Sequence, residues 1–209
     1  MRLYLASGNA NKAVELQAMA DAFRAGRGAG SGGERIEVLS AGEVGGMPRV
    51  AEDTGTFGGN ARKKAIALRG ALPRDAWSLA DDSGLCVEAL GGAPGVESAY
   101  YAGPAGDPAA NLAKLVGAMR GVPEGRRGAE FVCVLYLAGP GGVEQHFEGR
   151  CPGRLVLEPR GKGGFGYDPL FEPEGHAVTM AEMPPELKNR VGHRGRAWAQ
   201  CVGWLAARG

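Results

Sequence analysis

GKGGFGYDPLFEP, residues 161–173, opens with the spacing G-x-G-x-x-G. In a doubly wound dinucleotide fold that spacing follows a strand and opens directly into a helix. RLVLEP, residues 154–159, supplies a short strand. The helix is forbidden by Pro169 and Pro173, because a proline ring removes an amide donor and clashes with the preceding turn. Gly163 follows Lys162 where a Walker lysine needs Ser or Thr, so this is not a P-loop either. What remains is a loop whose glycines let backbone approach a ligand closely, with Phe165 and Tyr167 as flat surfaces. Two readings stay open for those rings: they stack on a base, or they plug the core.

The rest of the chain frames this loop as part of an α/β protein. RLYLAS (2–7) alternates as a first strand, and a helix begins near Asn9 or Asn11, either of which can cap it. Leu16, Met19, Ala20 and Phe23 lie on one face of that helix. RIEVLS (35–40) is a second strand; residues 52–72 begin as a loop and become a helix with Ala61, Ala65 and Leu68 on one side. Residues 77–90 read as strand, acidic turn, strand, and GGAPGVESAYYAG as loop. Asp107-Pro108 starts a helix striped by Leu112, Leu115, Val116 and Met119. Residues 129–138 and 143–150 form a hairpin around GPGG. The C-terminal RAWAQCVGWLAAR is helical, with Trp198, Cys201, Val202 and Leu205 on one face. Alternating helices and strands followed by a late hairpin imply a mixed sheet flanked by helices, in one domain over residues 1–209.

Composition narrows the function classes. With 44% hydrophobic and 22% charged residues the chain is globular, and a net charge of +1 gives no field to recruit nucleic acid or a membrane surface. Cys86, Cys133, Cys151 and Cys201 are far apart with no C-x-x-C pair, which points to reduced thiols and a cytoplasmic setting rather than disulfides or zinc. The first residues carry no apolar leader, and no run reaches the ~18 apolar residues of a membrane span. Neither H-E-x-x-H nor G-x-S-x-G occurs, and the three histidines (His146, His176, His193) give nucleophilic-triad chemistry little footing. The glycine-rich stretch 25–34 reads as a flexible surface insertion.

Candidate chemistry gathers elsewhere. In ADDSG (80–84) two acids follow a strand, at the strand end where ligands collect in α/β proteins. Adjacent carboxylates repel, so Mg²⁺ is one neutraliser; a solvated Asp-Asp turn is the other reading. Glu52-Asp53 is a second acidic pair that can complete a metal site. SGNANK (7–12) joins a strand to a helix N-terminus, an anion site with Lys12 beside it. Lys63 and Lys64 follow in the next helix, Lys63 on a solvated face. KNRVGHRGRA (188–197) is either a surface charge run or a set of donors aimed at a carbonyl-rich base. Polyphosphate, metal and flat ring in combination describe a nucleoside triphosphate.

LASGNANKAVEL, EDTGTFGGNARKKA, ADDSGLCVEALGGAPGVESAYYAG, GKGGFGYDPLF and ELKNRVGHRGRA, in that order, resemble the inosine triphosphate pyrophosphatase family. The blocks run from residue 3 to 197. The resemblance implies an elongated mixed sheet flanked by helices, in two lobes with a central substrate cleft, assembled as a homodimer. It implies Mg²⁺-dependent hydrolysis of ITP, dITP and XTP to the monophosphate and pyrophosphate. Matched residue by residue, it makes Ser7, Gly8, Asn9, Ala10, Asn11 and Lys12 the triphosphate loop, with Lys64 also on phosphate. Glu52 and Asp82 become metal carboxylates, Asp82 also activates water, and Ser83 reaches the substrate. Phe165, Gly166, Tyr167 and Asp168 become the base and sugar pocket, and Lys188, His193 and Arg194 the readers of the 6-oxo edge.

A 6-oxo purine offers an acceptor where adenine offers a donor, so cationic donors at Lys188 or Arg194 would be left unpaired against adenine. The chain departs from the family at Gly192, which stands where Ser precedes His-Arg, and in a second block one residue shorter than a frequent form. Three rivals remain: a related pyrophosphatase of different base specificity, a nucleotide-binding module without catalysis, and an RNA binder using Phe165 and Tyr167.

Overall fold

The computed structural model describes residues 1–26 and 35–208; the greater part of the glycine-rich insertion, from residue 27 on, lies outside the described residues. In chain order the elements are β1 (Arg2–Leu5), α1 (Ala10–Gly26), β2 (Glu37–Ser40), α2 (Phe57–Ala71), β3 (Trp77–Val87), α3 (Pro108–Met119), β4 (Gly128–Ala138), β5 (Glu144–Leu155), β6 (Phe171–Pro173), α4 (Pro185–Val191) and α5 (His193–Ala206). The strands form one sheet in the order β2-β1-β3-β4-β5-β6. β1 runs parallel to β2 and β3, whereas β5 and β6 are antiparallel, so the sheet is mixed as predicted. The described residues fall into two compact units, one from Met1–Asp82, Val134–Glu148 and Ala197–Gly209, the other from Ser83–Cys133 and Gly149–Arg196.

In the first unit the small side chains of Ala61 and Ala65 bring α2 close to the sheet, where Leu68 packs with Ala6, Ala80, Val134 and Tyr136. Leu3, Leu5, Leu16 and Leu79 are also fully or almost fully buried. Trp77 meets Trp204 of α5 edge to face at 6.4 Å. It also covers Gly139 so closely that a Cβ there would lie 2.3 Å from the indole, which explains a glycine at the head of the hairpin turn.

The second unit is built around Leu85, Leu115, Met119, Phe131, Leu155, Leu170 and Phe171. The predicted start of α3 is present: the Asp107 carboxylate accepts from the amides of Ala109 and Ala110, and Pro108 occupies the first helical position. Leu112 and Val116 pack against the same core as Leu115 and Met119.

Several expectations need correction. Residues 77–87 are one continuous strand with no acidic turn, because lysines neutralise the two aspartates that local propensity assigns to a turn. Residues 154–159 are not a separate strand; β5 runs through Pro152-Gly153 to Leu155. The backbone of β6 passes so close there that a Cβ on Gly153 would stand 2.2 Å from the Glu172 carbonyl oxygen. β6 and α4 lie in stretches read as loop and charge run. All four cysteines are free thiols.

Candidate active site

The first cluster starts where β1 ends. The parallel ladder of β1 on β3 closes at Leu5 and Leu79, and the Ala6 amide donates to the Leu79 carbonyl at 2.7 Å. From there β1 gives way to the loop into α1 while β3 continues into Asp81 and Asp82. The loop is self-capped: Ser7 Oγ accepts the Asn9 amide at 3.1 Å and Asn9 Oδ1 accepts the Asn11 amide at 3.0 Å. Ser7, Gly8, Asn9 and Ala10 line a small cavity together with Ser40 and Met47.

Neighbouring residues on a strand point to opposite faces, so Asp81 and Asp82 serve different partners. Asp81, fully buried, binds Lys12 Nζ of α1 at 2.6 Å. Asp82 Oδ1 binds Lys64 Nζ of α2 at 2.6 Å. The Lys64 ammonium also donates to Glu52 Oε2 at 2.8 Å and to the Asp81 carbonyl at 3.2 Å, which uses all three of its protons. Burial opposes the charge on Lys64, but Asp82 and Glu52 outweigh it and raise its pKa. Burial pushes the Asp82 carboxyl up to about 6, against the pull of Lys64 and Lys12. Burial acts on Glu52 in the same sense, yet Lys64 wins and holds it below the usual carboxylate range.

Glu52 is delivered by a loop tied to α2. Asn60 Oδ1 accepts from the amide and hydroxyl of Thr54 at 3.2 and 2.8 Å, and Thr56 Oγ1 caps the helix by accepting the Gly59 amide at 3.1 Å. Asp53 instead pairs with Lys63 at 2.5 Å on the surface, the solvated role expected of Lys63. Of the second acidic pair, then, Glu52 is the residue that reaches Asp82's lysine.

Asp82 Oδ2 is buried and has no hydrogen-bond partner. A carboxylate oxygen in that state, beside Glu52, suits a hard cation that takes few protein ligands. Among the described residues no three His, Cys, Asp or Glu side chains gather as a cage, which leaves such an ion to substrate phosphates and water for its remaining ligands.

The second cluster lies in the other unit and is organised by Asp168. Its Oδ2 accepts the Phe165 amide at 2.7 Å and pairs with Lys188 Nζ at 2.7 Å, both side chains being almost wholly buried. A Cβ on Gly164 would stand 2.1 Å from that oxygen, and Gly164 has φ +67°, so glycine is required on two counts. Lys188 Nζ lies 4.9 Å from the Phe165 ring centroid and the Arg194 guanidinium 5.5 Å, leaving a half-buried ring flanked by two cations. Arg194 Nη2 donates to Ser83 Oγ at 3.1 Å.

Two expected site residues are placed differently. Tyr167 is packed in the core with its hydroxyl donating to the Ser98 carbonyl at 2.9 Å, so of the two readings for the rings it follows the core one. His193 is buried and stacked on Phe131 at 4.7 Å and 10°. Sequence reasoning missed Asp81 as a partner of Lys12 and Asn60 as the anchor of the Glu52 loop. The signal for Asp81 was the doublet itself, since alternation in a strand gives each acid its own face.

Lysines and carboxylates at the end of a parallel strand pair, and a ring set between buried cations, define an α/β protein suited to phosphorylated substrates with a flat base. Residues 3–204 match the Ham1 family, and the chain belongs to it. It is 55% identical over 204 residues to a dITP/XTP pyrophosphatase of Opitutus terrae, covering 98% of each chain. A dITP/XTP pyrophosphatase of Streptomyces avermitilis is 44% identical over 202 residues, covering 96% of this chain and 95% of its own. The Staphylococcus aureus Ham1 protein superposes with a TM-score of 0.82 at 31% identity over the whole of both chains. The Coxiella burnetii HAM1 protein gives 0.81 at 34% identity over 98% of each.

Proposed function

We propose that this chain hydrolyses the non-canonical purine nucleoside triphosphates dITP, ITP and XTP to the monophosphate and pyrophosphate. The observation that carries the chemistry is Asp82: buried, its carboxyl pushed up to about 6 by that burial, with one oxygen on Lys64 and the other unpartnered. At pH 7 its carboxylate takes a proton from water as the oxygen of that water bonds to phosphorus. The α–β phosphoanhydride bond breaks, and its electron pair leaves on the departing phosphate oxygen. Lys12 and Lys64 supply positive charge for the polyphosphate, and preorganised charge is the main contribution a protein makes to phosphoryl transfer.

Mg²⁺ is part of this proposal, with Asp82 and Glu52 as its carboxylates; bound there it would supply further positive charge against the polyphosphate. In the second unit Phe165 offers a stacking face, and Lys188 and Arg194 offer donors to a 6-oxo group. Adenine would present a donor amino group to them in place of an acceptor. The family resemblance supports a homodimer working in the cytoplasm, and no helix among the described residues is long and apolar enough to cross a membrane.

The test is pyrophosphate release from ITP, XTP, dITP, GTP, ATP and dTTP, with Mg²⁺ and with EDTA, for the wild type and Asp82→Asn. The reading requires ITP, dITP and XTP to be cleaved far faster than ATP and dTTP, only with metal, and Asp82→Asn to be nearly inactive. Binding without cleavage would sink it in favour of a non-catalytic module.

A further inference from the structure

Within the loop 161–168 the Asp168 carboxylate holds the Phe165 amide at 2.7 Å, while the glycine stretch before it leans on the backbone of Ala181 outside the loop. Residues 161–164 are exposed, and Gly161, Gly164 and Gly166 have φ values of +84°, +67° and +62°. Glycines at such positions are costly in entropy to order, so the path from residue 161 to Phe165 draws order from outside the loop as well as from Asp168.

A second restraint lies at the loop's neck. Glu172 on β6 is 3% exposed, and its carboxylate is shared by two arginines. Arg154, its cross-strand partner, donates from Nε to Glu172 Oε2 at 2.7 Å. Arg160, the residue just before the loop, donates from Nη2 to Oε1. Arg160 also reaches Glu182 Oε2 at 3.5 Å. Its backbone is bonded on both sides: its amide donates to the Pro169 carbonyl at 2.9 Å, and its carbonyl accepts from Thr179 Oγ1 at 2.9 Å. The loop is thereby laid on the backbone of Ala181, whose carbonyl accepts the Gly163 amide at 2.9 Å. The approach is close enough that a Cβ on Gly161 would stand 2.4 Å from the Ala181 carbonyl carbon.

We propose that Arg160, clamped by the buried carboxylate of Glu172, is a positioning residue for purine recognition. It ties the start of the loop to β6 and to segment 179–182, and so fixes Phe165 where Lys188 and Arg194 flank it. This rests on the purine-binding reading of Phe165. Breaking the clamp costs ordering energy at each binding event, which appears in affinity for the base rather than in the phosphate chemistry of the other unit.

The experiment uses the full chain with Arg160→Met and Arg160→Lys. Arg160 is 42% exposed, and Arg154 remains on Glu172, so the variants are expected to fold. Binding of inosine monophosphate is measured by calorimetry, inhibition by inorganic pyrophosphate by kinetics, and KM and kcat with ITP. Arg160→Met is expected to weaken inosine monophosphate binding and raise KM about tenfold, with kcat within about twofold and pyrophosphate inhibition unchanged. Arg160→Lys should recover part of the loss. Unchanged inosine monophosphate affinity, or equal weakening of inosine monophosphate and pyrophosphate, overturns the inference. Wild type that binds inosine monophosphate but does not cleave ITP overturns the proposed activity and leaves this comparison readable; wild type that binds neither overturns both.

Discussion

At the scale of single residues, Asp82 has two consequences that separate catalysis from folding. Asp82→Asn keeps the shape and loses the proton acceptor, so kcat should fall by about 10³-fold, read from initial rates of pyrophosphate release. The second consequence is seen without metal. The carboxyl's ordinary pKa is 3.8 and the fold raises it to about 6. Between those values the folded chain holds a proton the unfolded chain has released, so stability from this group is present below about pH 4 and lost as pH rises through 6. Urea unfolding in EDTA should therefore show wild type losing on the order of 3 kcal/mol relative to Asp82→Asn between those limits. A pH-independent difference between the two proteins would contradict a raised pKa. Asp81 behaves differently, because Lys12 is 13% exposed and depends on it for charge balance. Asp81→Ala should cost about 3–5 kcal/mol, measured by the same unfolding, since a nearly buried ammonium loses its partner. Lys12, Lys64, Glu52 and Asp82 were legible as residue types in their blocks. What was not legible was which carboxylate meets which lysine, because that depends on the face of a strand the sequence disguised as a turn.

At the scale of elements, the N-terminus of α2 shows how a helix start aims a functional side chain. Thr54, Thr56 and Asn60 knot residues 54–60 just after Glu52, and Gly59 lies where a Cβ would be 2.4 Å from Thr54 Oγ1 and 2.8 Å from Thr56 Oγ1. Thr56→Ala should cost about 1 kcal/mol by loss of the cap, seen as a lower urea midpoint with the m-value unchanged. Gly59→Ala should do more than weaken the helix. Displacing both threonines moves the Glu52 loop, so, with Glu52 at the proposed Mg²⁺ site, the Mg²⁺ concentration for half-maximal rate should rise for Gly59→Ala and stay near wild type for Thr56→Ala. Helices with strong local punctuation were readable in advance: Asp107-Pro108 opens α3, and Asn9, one of the two candidate caps, caps α1. Elements whose signal is tertiary were not. β6 has three residues and exists through pairing with β5, and Pro152-Gly153 stays in a strand because another backbone passes beside it.

At the scale of the whole molecule, the candidate residues fall in two units that the sequence does not delimit. The boundary between Asp82 and Ser83 falls inside one strand, and β4 and β5 also carry residues of both units, so no linker or change of composition marks it. The first unit holds Lys12, Lys64, Glu52 and Asp82, all suited to phosphate; the second holds Phe165, Asp168, Lys188 and Arg194, all suited to a base. A division of this kind predicts two patterns of mutant kinetics. On the proposed role of Lys64 at the phosphates, which are common to every triphosphate, Lys64→Met should lower kcat/KM for ITP and for ATP by the same factor. On the proposed role of Arg194 as a donor to the 6-oxo group, Arg194→Met should lower kcat/KM for ITP while that for ATP holds or rises. The ITP:ATP ratio should then shrink by about 10–100-fold, as expected when one buried donor is lost. Both ratios come from competition assays with the two substrates mixed, in which total enzyme concentration cancels. If Lys64→Met altered the ratio as much as Arg194→Met, base recognition would not be confined to the second unit and the 6-oxo argument would need another residue.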